Sequence, residues 1–113
     1  MRQAGILAAA GIVALKRMTG RLGEDHARAR NLAEGLSENG AIILDPGTPV
    51  TNMIFFNLAP HVKISADDVA DRLKAHGVLT SASGPRRFRL VTHYWIDDHA
   101  VDQAVSAFHE VLK

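Results

Sequence analysis

Short runs of strand-type residues alternate with helical patterns along this chain, and their order restricts the fold more than any other feature. Two helical segments come first, followed by two strands, one helix, two more strands and a last helix. Such an order predicts an α+β fold: a small antiparallel or mixed sheet with helices on one face, preceded by a connecting helix. The predicted helices cover residues 4–15, 21–39, 65–76 and from 97 onward, and the predicted strands cover 41–44, 51–57, 78–81 and 88–92.

The first predicted helix is almost entirely apolar. Residues 4–15 carry no charge, and Lys16 and Arg17 follow directly, where a cleaved secretion signal would have small residues. The run is also too short to cross a bilayer as a helix. We interpret it as a buried helix, with its packing partner expected outside this chain. Its small residues would let another backbone approach closely; they are Gly5, Ala8, Ala9, Ala10 and Gly11.

The composition limits the classes of function. A net charge of +1 over 113 residues gives no electrostatic reason to expect a nucleic-acid or membrane partner. The absence of cysteine excludes disulfides, thiolate metal sites and a cysteine nucleophile, and it favours a cytoplasmic protein. No two of the six histidines have the i, i+3 or i, i+4 spacing of helical metal motifs. We therefore predict no metal site.

Polar residues and glycines mark the predicted helix ends. Ser65 with Asp68 resembles a capping box, and Asp97 suits the start of the last helix. The pair Asn39 and Gly40 favours a left-handed cap after the second helix. We expect the charged residues of that second helix to lie on one solvated face; they are at positions 24, 25, 28, 30 and 34.

Three arginines in four positions, Arg86, Arg87 and Arg89, surround the start of the last predicted strand, which follows a predicted turn at 83–85. Side chains alternate between the faces of a strand, so Phe88 and Leu90 should point toward the helices and Arg89 away from them. The two arginines beside the turn are expected to be solvated. Arg89, on a rigid strand, could offer its planar fork to a carboxylate or phosphate, or could form an ordinary surface salt bridge.

Four stretches carry a resemblance to a known family: MRQAGILAAAGIVAL, RLGEDHARARNLAEGL, TNMIFFN and FRLVTHYWIDDHAVDQAV. Together they resemble the C-terminal part of low-specificity L-threonine aldolases, which belong to the β-eliminating lyase group of pyridoxal-phosphate enzymes. The resemblance implies the C-terminal small domain of a fold-type-I enzyme, with residues 1–20 as a connecting helix toward a large domain and 21–113 as the small domain. It also implies a homotetramer.

The resemblance implies cleavage of L-threonine or L-allo-threonine to glycine and acetaldehyde, with Arg89 gripping the carboxylate of the β-hydroxy amino acid substrate. Arg2 and Gln3 are implied to contact the cofactor phosphate or a neighbouring subunit. The family's Schiff-base lysine precedes the region matched here, so we expect no catalytic residue in this chain and no activity from it alone. Pyridoxal 5'-phosphate would then be held mainly by the large domain.

Two expectations remain open from the sequence. Met1 coincides with an internal methionine of the family pattern, which suggests a truncated gene, a fragment or a misplaced start. The alternative function is a free-standing α+β module that binds a small anion through Arg89 or serves as an interaction domain.

Overall fold

The four strands form one antiparallel sheet in the order β1-β2-β4-β3. The structure is a computed structural model that describes residues 2–113. The fold is α+β, as predicted. The helices are α1 (Gly5–Arg17), α2 (Leu22–Ser37), α3 (Ala66–Ala75) and α4 (Asp98–Val111), with a 3-10 turn at Thr19–Arg21. The strands are β1 (Ile42–Leu44), β2 (Met53–Leu58), β3 (Ala82–Gly84) and β4 (Arg87–Val91).

Strand register fixes which residues lie beside β4. The predicted pairing of β1 with β2 is confirmed, with Ile42 opposite Leu58. β2 also pairs with β4, which places Phe55 directly opposite Arg89. Residues facing each other in antiparallel strands share one face of the sheet and lie within contact distance. Phe55 is therefore the immediate neighbour of Arg89 across the sheet.

One face of the sheet is covered by helices and holds the core. Phe56, Phe88 and Phe108 are each 0% exposed, and their ring centroids lie 5.3, 5.6 and 5.8 Å apart. Burying an aromatic side chain of this size contributes about 1.5–3 kcal/mol. Helices α2, α3 and α4 complete this core with Ala29, Leu32, Leu36, Val69, Leu73 and Val101. Three helices therefore hold β2 and β4 from one side.

Helix α1 is not buried within this chain. None of its residues is buried, and Ile6 is 87% and Leu15 71% exposed. No other described element covers α1, so this chain by itself does not bury the helix. The expectation that its partner lies outside this sequence remains a prediction.

The third strand forms later in the chain than predicted. Residues 78–81 are not strand, and β3 begins at Ala82, so the turn to β4 lies at Pro85 and Arg86. The end of α3 explains the shift. Gly77 has a φ of +80°, and the N–H of Val78 donates to the Leu73 carbonyl at 3.0 Å. This bond closes the helix in a Schellman arrangement, so Val78 starts no strand ladder.

Two predicted helix starts are confirmed, and one predicted helix end is wrong. Ser65 and Asp68 form the capping box, and the Asp97 side chain accepts from the N–H of Ala100. Gly40 does not adopt a left-handed conformation. Instead, the Asn39 side-chain oxygen accepts from the Ala41 N–H at 2.9 Å. Asparagine often forms such a local turn, which replaces a glycine cap.

Asp25 was expected on the solvated face of α2, yet it is only 4% exposed. The Arg21 guanidinium donates to both of its carboxylate oxygens, at 3.0 and 2.6 Å. The bond to Asp25 is the main cause that raises the pKa of Arg21. A buried carboxylate requires such a partner. The signal for this pair is the i, i+4 spacing of an arginine and an aspartate along one helix face.

Candidate functional site

The candidate site lies on the sheet face opposite the helices, which we call the open face. Along β4 the side chains alternate as predicted: Phe88 and Leu90 are buried, whereas Arg89 and Val91 are exposed. Pairing on both sides of β4 with β2 and β3 holds its backbone in place. The open face therefore presents the Arg89 guanidinium from a rigid support.

Arg89 forms no hydrogen bond or ion pair with any residue in the range 2–113, although other arginines of the chain do. The surface salt bridge considered as an alternative is not formed within this described part of the chain. A guanidinium offers five N–H donors in one plane, which suits two parallel bonds to a carboxylate. The geometry leaves all of that capacity available to a ligand.

Arg87 is engaged rather than solvated, contrary to the prediction. Its guanidinium donates to both carboxylate oxygens of Asp45, at 3.0 and 2.6 Å. It also lies 5.5 Å from the centroid of the Phe55 ring, within cation–π distance. The hydrogen bond from Arg87 lowers the pKa of Asp45, and the same bond raises the pKa of Arg87. Both groups therefore stay charged and paired near neutral pH.

Arg86 is also engaged, so the second solvation prediction is wrong. One of its terminal nitrogens donates to the backbone carbonyls of Ala59 and Val62, at 2.7 and 3.0 Å. These contacts tie the loop after β2 to the turn before β4. Of the three arginines, Arg86 holds backbone, Arg87 holds a carboxylate, and Arg89 makes no such contact with the described residues.

Two concavities meet at Arg89. One, of about 390 Å³, lies on the open face and is lined by Phe55, Ser83, Arg87 and Arg89 among others. The other, of about 360 Å³, is mainly apolar and lies between β4, the segment 77–81 and α4. A guanidinium at the junction of a polar and an apolar concavity is suited to an anion with a small organic body.

The sequence interpretation missed Asp45 and Phe55. Asp45 was seen only as a turn residue, and Phe55 only as a strand former. Both lie next to Arg87 or Arg89 because β1, β2 and β4 are adjacent in the sheet. The available signal was period-2 alternation in β2, which places Phe55 on the face opposite the buried Ile54 and Phe56.

Arg2 and Gln3 are exposed in the residues that precede α1. No contact of theirs with the candidate site is found in the described range 2–113, so a role in cofactor binding remains a prediction. Neither concavity at Arg89 is lined by a lysine. Among residues 2–113, no group of three or more histidine, aspartate or glutamate side chains is placed to hold a metal ion. None of the helices in that range has both the length and the apolarity needed to span a bilayer.

The residues at this site fit a substrate anion better than the cofactor that the resemblance implies. Pyridoxal phosphate needs a lysine amine, a group for its ring nitrogen and donors for its phosphate. The open-face concavity offers the Arg89 guanidinium but no lysine, and Asp45 already binds Arg87. Residues 2–113 by themselves therefore lack a complete site for the cofactor.

Known proteins are similar in sequence to this chain over most of its length. Low-specificity L-threonine aldolase 1 of Arabidopsis thaliana is 33% identical over 112 residues, which is 99% of this chain and 31% of that protein. The low specificity L-threonine aldolase of Escherichia coli (strain K12) is 45% identical over 93 residues, covering 82% of this chain and 26% of that protein. The chain thus spans less than a third of the length of these relatives.

A solved structure shares the fold. Ornithine aminotransferase from Plasmodium yoelii superposes with a TM-score of 0.59 over 81% of this chain and 23% of that protein, at 15% identity. Identity this low shows the fold alone, and the shared fold agrees with the predicted α+β class. The family model described as Beta-eliminating lyase matches residues 1–59. This match covers more than half of the sequence, and the chain belongs to the beta-eliminating lyase family.

Proposed function

We propose that this chain serves a pyridoxal-phosphate-dependent aldolase that cleaves a β-hydroxy amino acid into glycine and an aldehyde. L-Threonine and L-allo-threonine are the substrates we propose, with acetaldehyde as the second product. The single observation that carries this proposal is the Arg89 guanidinium, mounted on a rigid strand of the open face without a partner among residues 2–113. Family membership and similarity to low-specificity L-threonine aldolases support the reaction class.

Arg89 would hold the substrate by its carboxylate. Two parallel N–H donors fix both the position of the carboxylate and its plane, which a single point charge does not. Fixing the carboxylate also fixes the rotation of the substrate about its α-carbon, so the bond to the β-carbon is the one presented for cleavage. Pyridoxal phosphate, held by the rest of the enzyme, would supply the electron sink for that cleavage. Where the assembled enzyme encloses this contact, truncating it should cost about 2–5 kcal/mol.

The same proposal assigns the parts of the chain. Residues 1–20 form a connecting helix and residues 21–113 a small domain that closes over the substrate. Pyridoxal phosphate is held mainly by sequence outside this chain, with Arg2 contacting its phosphate, and the assembled enzyme is a cytoplasmic homotetramer. The exposed apolar surface of α1 supports this arrangement over a free-standing anion-binding module, because such a module has no use for an uncovered apolar helix.

The test is kinetic and uses a complete enzyme. This chain replaces the matching region of the Escherichia coli enzyme, and the release of aldehyde from L-threonine is measured for Arg89→Lys and Arg89→Gln. We expect kcat/KM to fall about 30-fold or more, with a strongly raised KM in Arg89→Lys, because lysine keeps the charge but loses the fork.

Arg87→Lys is the matched control, since it lies on the same strand and face but is paired with Asp45. We expect its kcat/KM to stay within about threefold of the unsubstituted enzyme. An unchanged KM in Arg89→Lys, or an equal loss in both variants, would contradict the assignment of Arg89.

A further inference from the structure

Two guanidinium groups lie on the open face, but only one of them is available to a ligand. Arg87 and Arg89 are two residues apart on β4, which corresponds to roughly 7 Å along the strand. Both line the same concavity of about 390 Å³. Two free guanidinium groups at this spacing would favour an anion with two negative charges over one with a single charge.

Asp45 prevents this preference for a doubly charged anion, because its carboxylate is bound to Arg87. Its two carboxylate oxygens accept from the two terminal nitrogens of Arg87, and the ring of Phe55 lies beside the same guanidinium. The backbone of Asp45 is fixed as well, because its N–H donates to the Phe55 carbonyl at 2.9 Å and its carbonyl accepts from Thr48 at 3.2 Å. The carboxylate is thus held in place by the hairpin of β1 and β2.

The sum of charges at the concavity follows from these contacts. Arg87 and Asp45 cancel, which leaves one positive charge, that of Arg89. We propose that Asp45 is a specificity-determining residue, which restricts the Arg89 site to amino acids with one carboxylate and disfavours those with a second acid group in the side chain. This inference rests on the proposed role of Arg89 as the carboxylate anchor.

The experiment measures how well the 113-residue chain distinguishes one negative charge from two. Propionate and succinate are titrated into the ¹⁵N-labelled chain at low salt, and both dissociation constants are read from the backbone N–H resonances of β3 and β4, which every variant retains. We expect Asp45→Asn to raise the preference for succinate over propionate about fivefold, because Arg87 becomes available as a second cation.

Arg87→Gln should lower the preference for succinate over propionate, which is the opposite change. It leaves the Asp45 carboxylate unpaired near the open face, so the binding of succinate should weaken more than that of propionate, again by about fivefold in the ratio. The double variant with Asp45→Asn and Arg87→Gln should return to the original preference. Asp45→Ala keeps the backbone hydrogen bonds of residue 45 and replaces Asp45→Asn if the amide keeps Arg87 engaged or the variant does not fold.

Arg89→Gln separates this inference from the proposed function. If it weakens neither anion in the otherwise unchanged chain, Arg89 is not a carboxylate anchor, and both proposals fail. If it weakens both anions while the Asp45 and Arg87 variants leave the succinate-to-propionate ratio unchanged, only the role of Asp45 is overturned. Opposite shifts of the ratio in the two single variants support it.

Discussion

The two faces of the sheet differ in what they need from outside the chain. On the helix-covered face, Phe88 is fully buried against Phe56 and Phe108, all supplied by this sequence. One residue further along the same strand, Arg89 is exposed and makes no hydrogen bond or ion pair with the described residues. One face therefore carries the stability of the fold, and the other carries binding capacity. The unused hydrogen-bonding capacity of this sheet therefore lies on the face where packing is incomplete.

Substitutions of two neighbouring residues of β4 should show the largest difference in stability between the two faces. Phe88→Ala removes a side chain that is 0% exposed, so we expect the free energy of unfolding to fall by about 3–5 kcal/mol. Arg89→Ala should change it by less than about 0.5 kcal/mol. Urea denaturation followed by circular dichroism measures both. Similar losses in the two variants would show that the open face also supports the fold.

Two glycines of α2 test how tightly the helix layer is packed. A Cβ on Gly35 would lie 2.7 and 2.9 Å from the two methyl carbons of Val105 on α4, whereas Gly23 has nothing within 4 Å. Gly35→Ala should cost about 1–2 kcal/mol, since overpacking exceeds the gain in helix propensity. Gly23→Ala should stabilise by up to about 1 kcal/mol. Thermal denaturation of both variants checks this, and a stabilised Gly35→Ala would mean that α2 and α4 separate readily.

The smallest expected effect is the pH dependence of the Asp45–Arg87 pair. The folded pKa of Asp45 lies below its unfolded value of 3.8, because it accepts hydrogen bonds from Arg87. Its contribution to stability is therefore present above the unfolded pKa and is lost as the pH falls through the folded pKa. Both groups are partly exposed, so solvent screening keeps the effect small.

Urea denaturation between about pH 7 and pH 2.5 compares the chain with Asp45→Asn. We expect the unsubstituted chain to lose more stability in acid than the variant, and Arg87→Gln to remove the same difference. Identical acid profiles in all three proteins would show that the pair contributes nothing to the free energy of unfolding.

Local sequence patterns predicted which residues of β4 lie on each face of the sheet, but they did not predict the contacts around Arg87. Alternation along β4 correctly placed Phe88 inward and Arg89 outward, since a strand has a strict period of two. The pairing of Arg87 with Asp45 was not predictable in this way. These residues are 42 positions apart, and they meet only because β1 and β4 both pair with β2, one on each side of it.

The errors at helix ends and in the helix layer have similar causes. Residues 78–81 have strand-type side chains, but the Val78 N–H is used to close α3. Asp25 has a charged side chain of the kind expected in solvent, yet Arg21 four residues earlier neutralises it and permits its burial. In each case a specific hydrogen bond overrides the average tendency of the residue type. Such bonds depend on how residues four or five positions apart are placed together, which single-residue preferences do not contain.

The most direct test of the account is a crystal structure of the assembled enzyme, with this chain joined to the remainder of its Escherichia coli relative and glycine bound. We predict two parallel contacts of about 2.7–2.9 Å from the Arg89 guanidinium to the two carboxylate oxygens of glycine. A glycine carboxylate held by other residues, with Arg89 directed into solvent, would contradict the central claim.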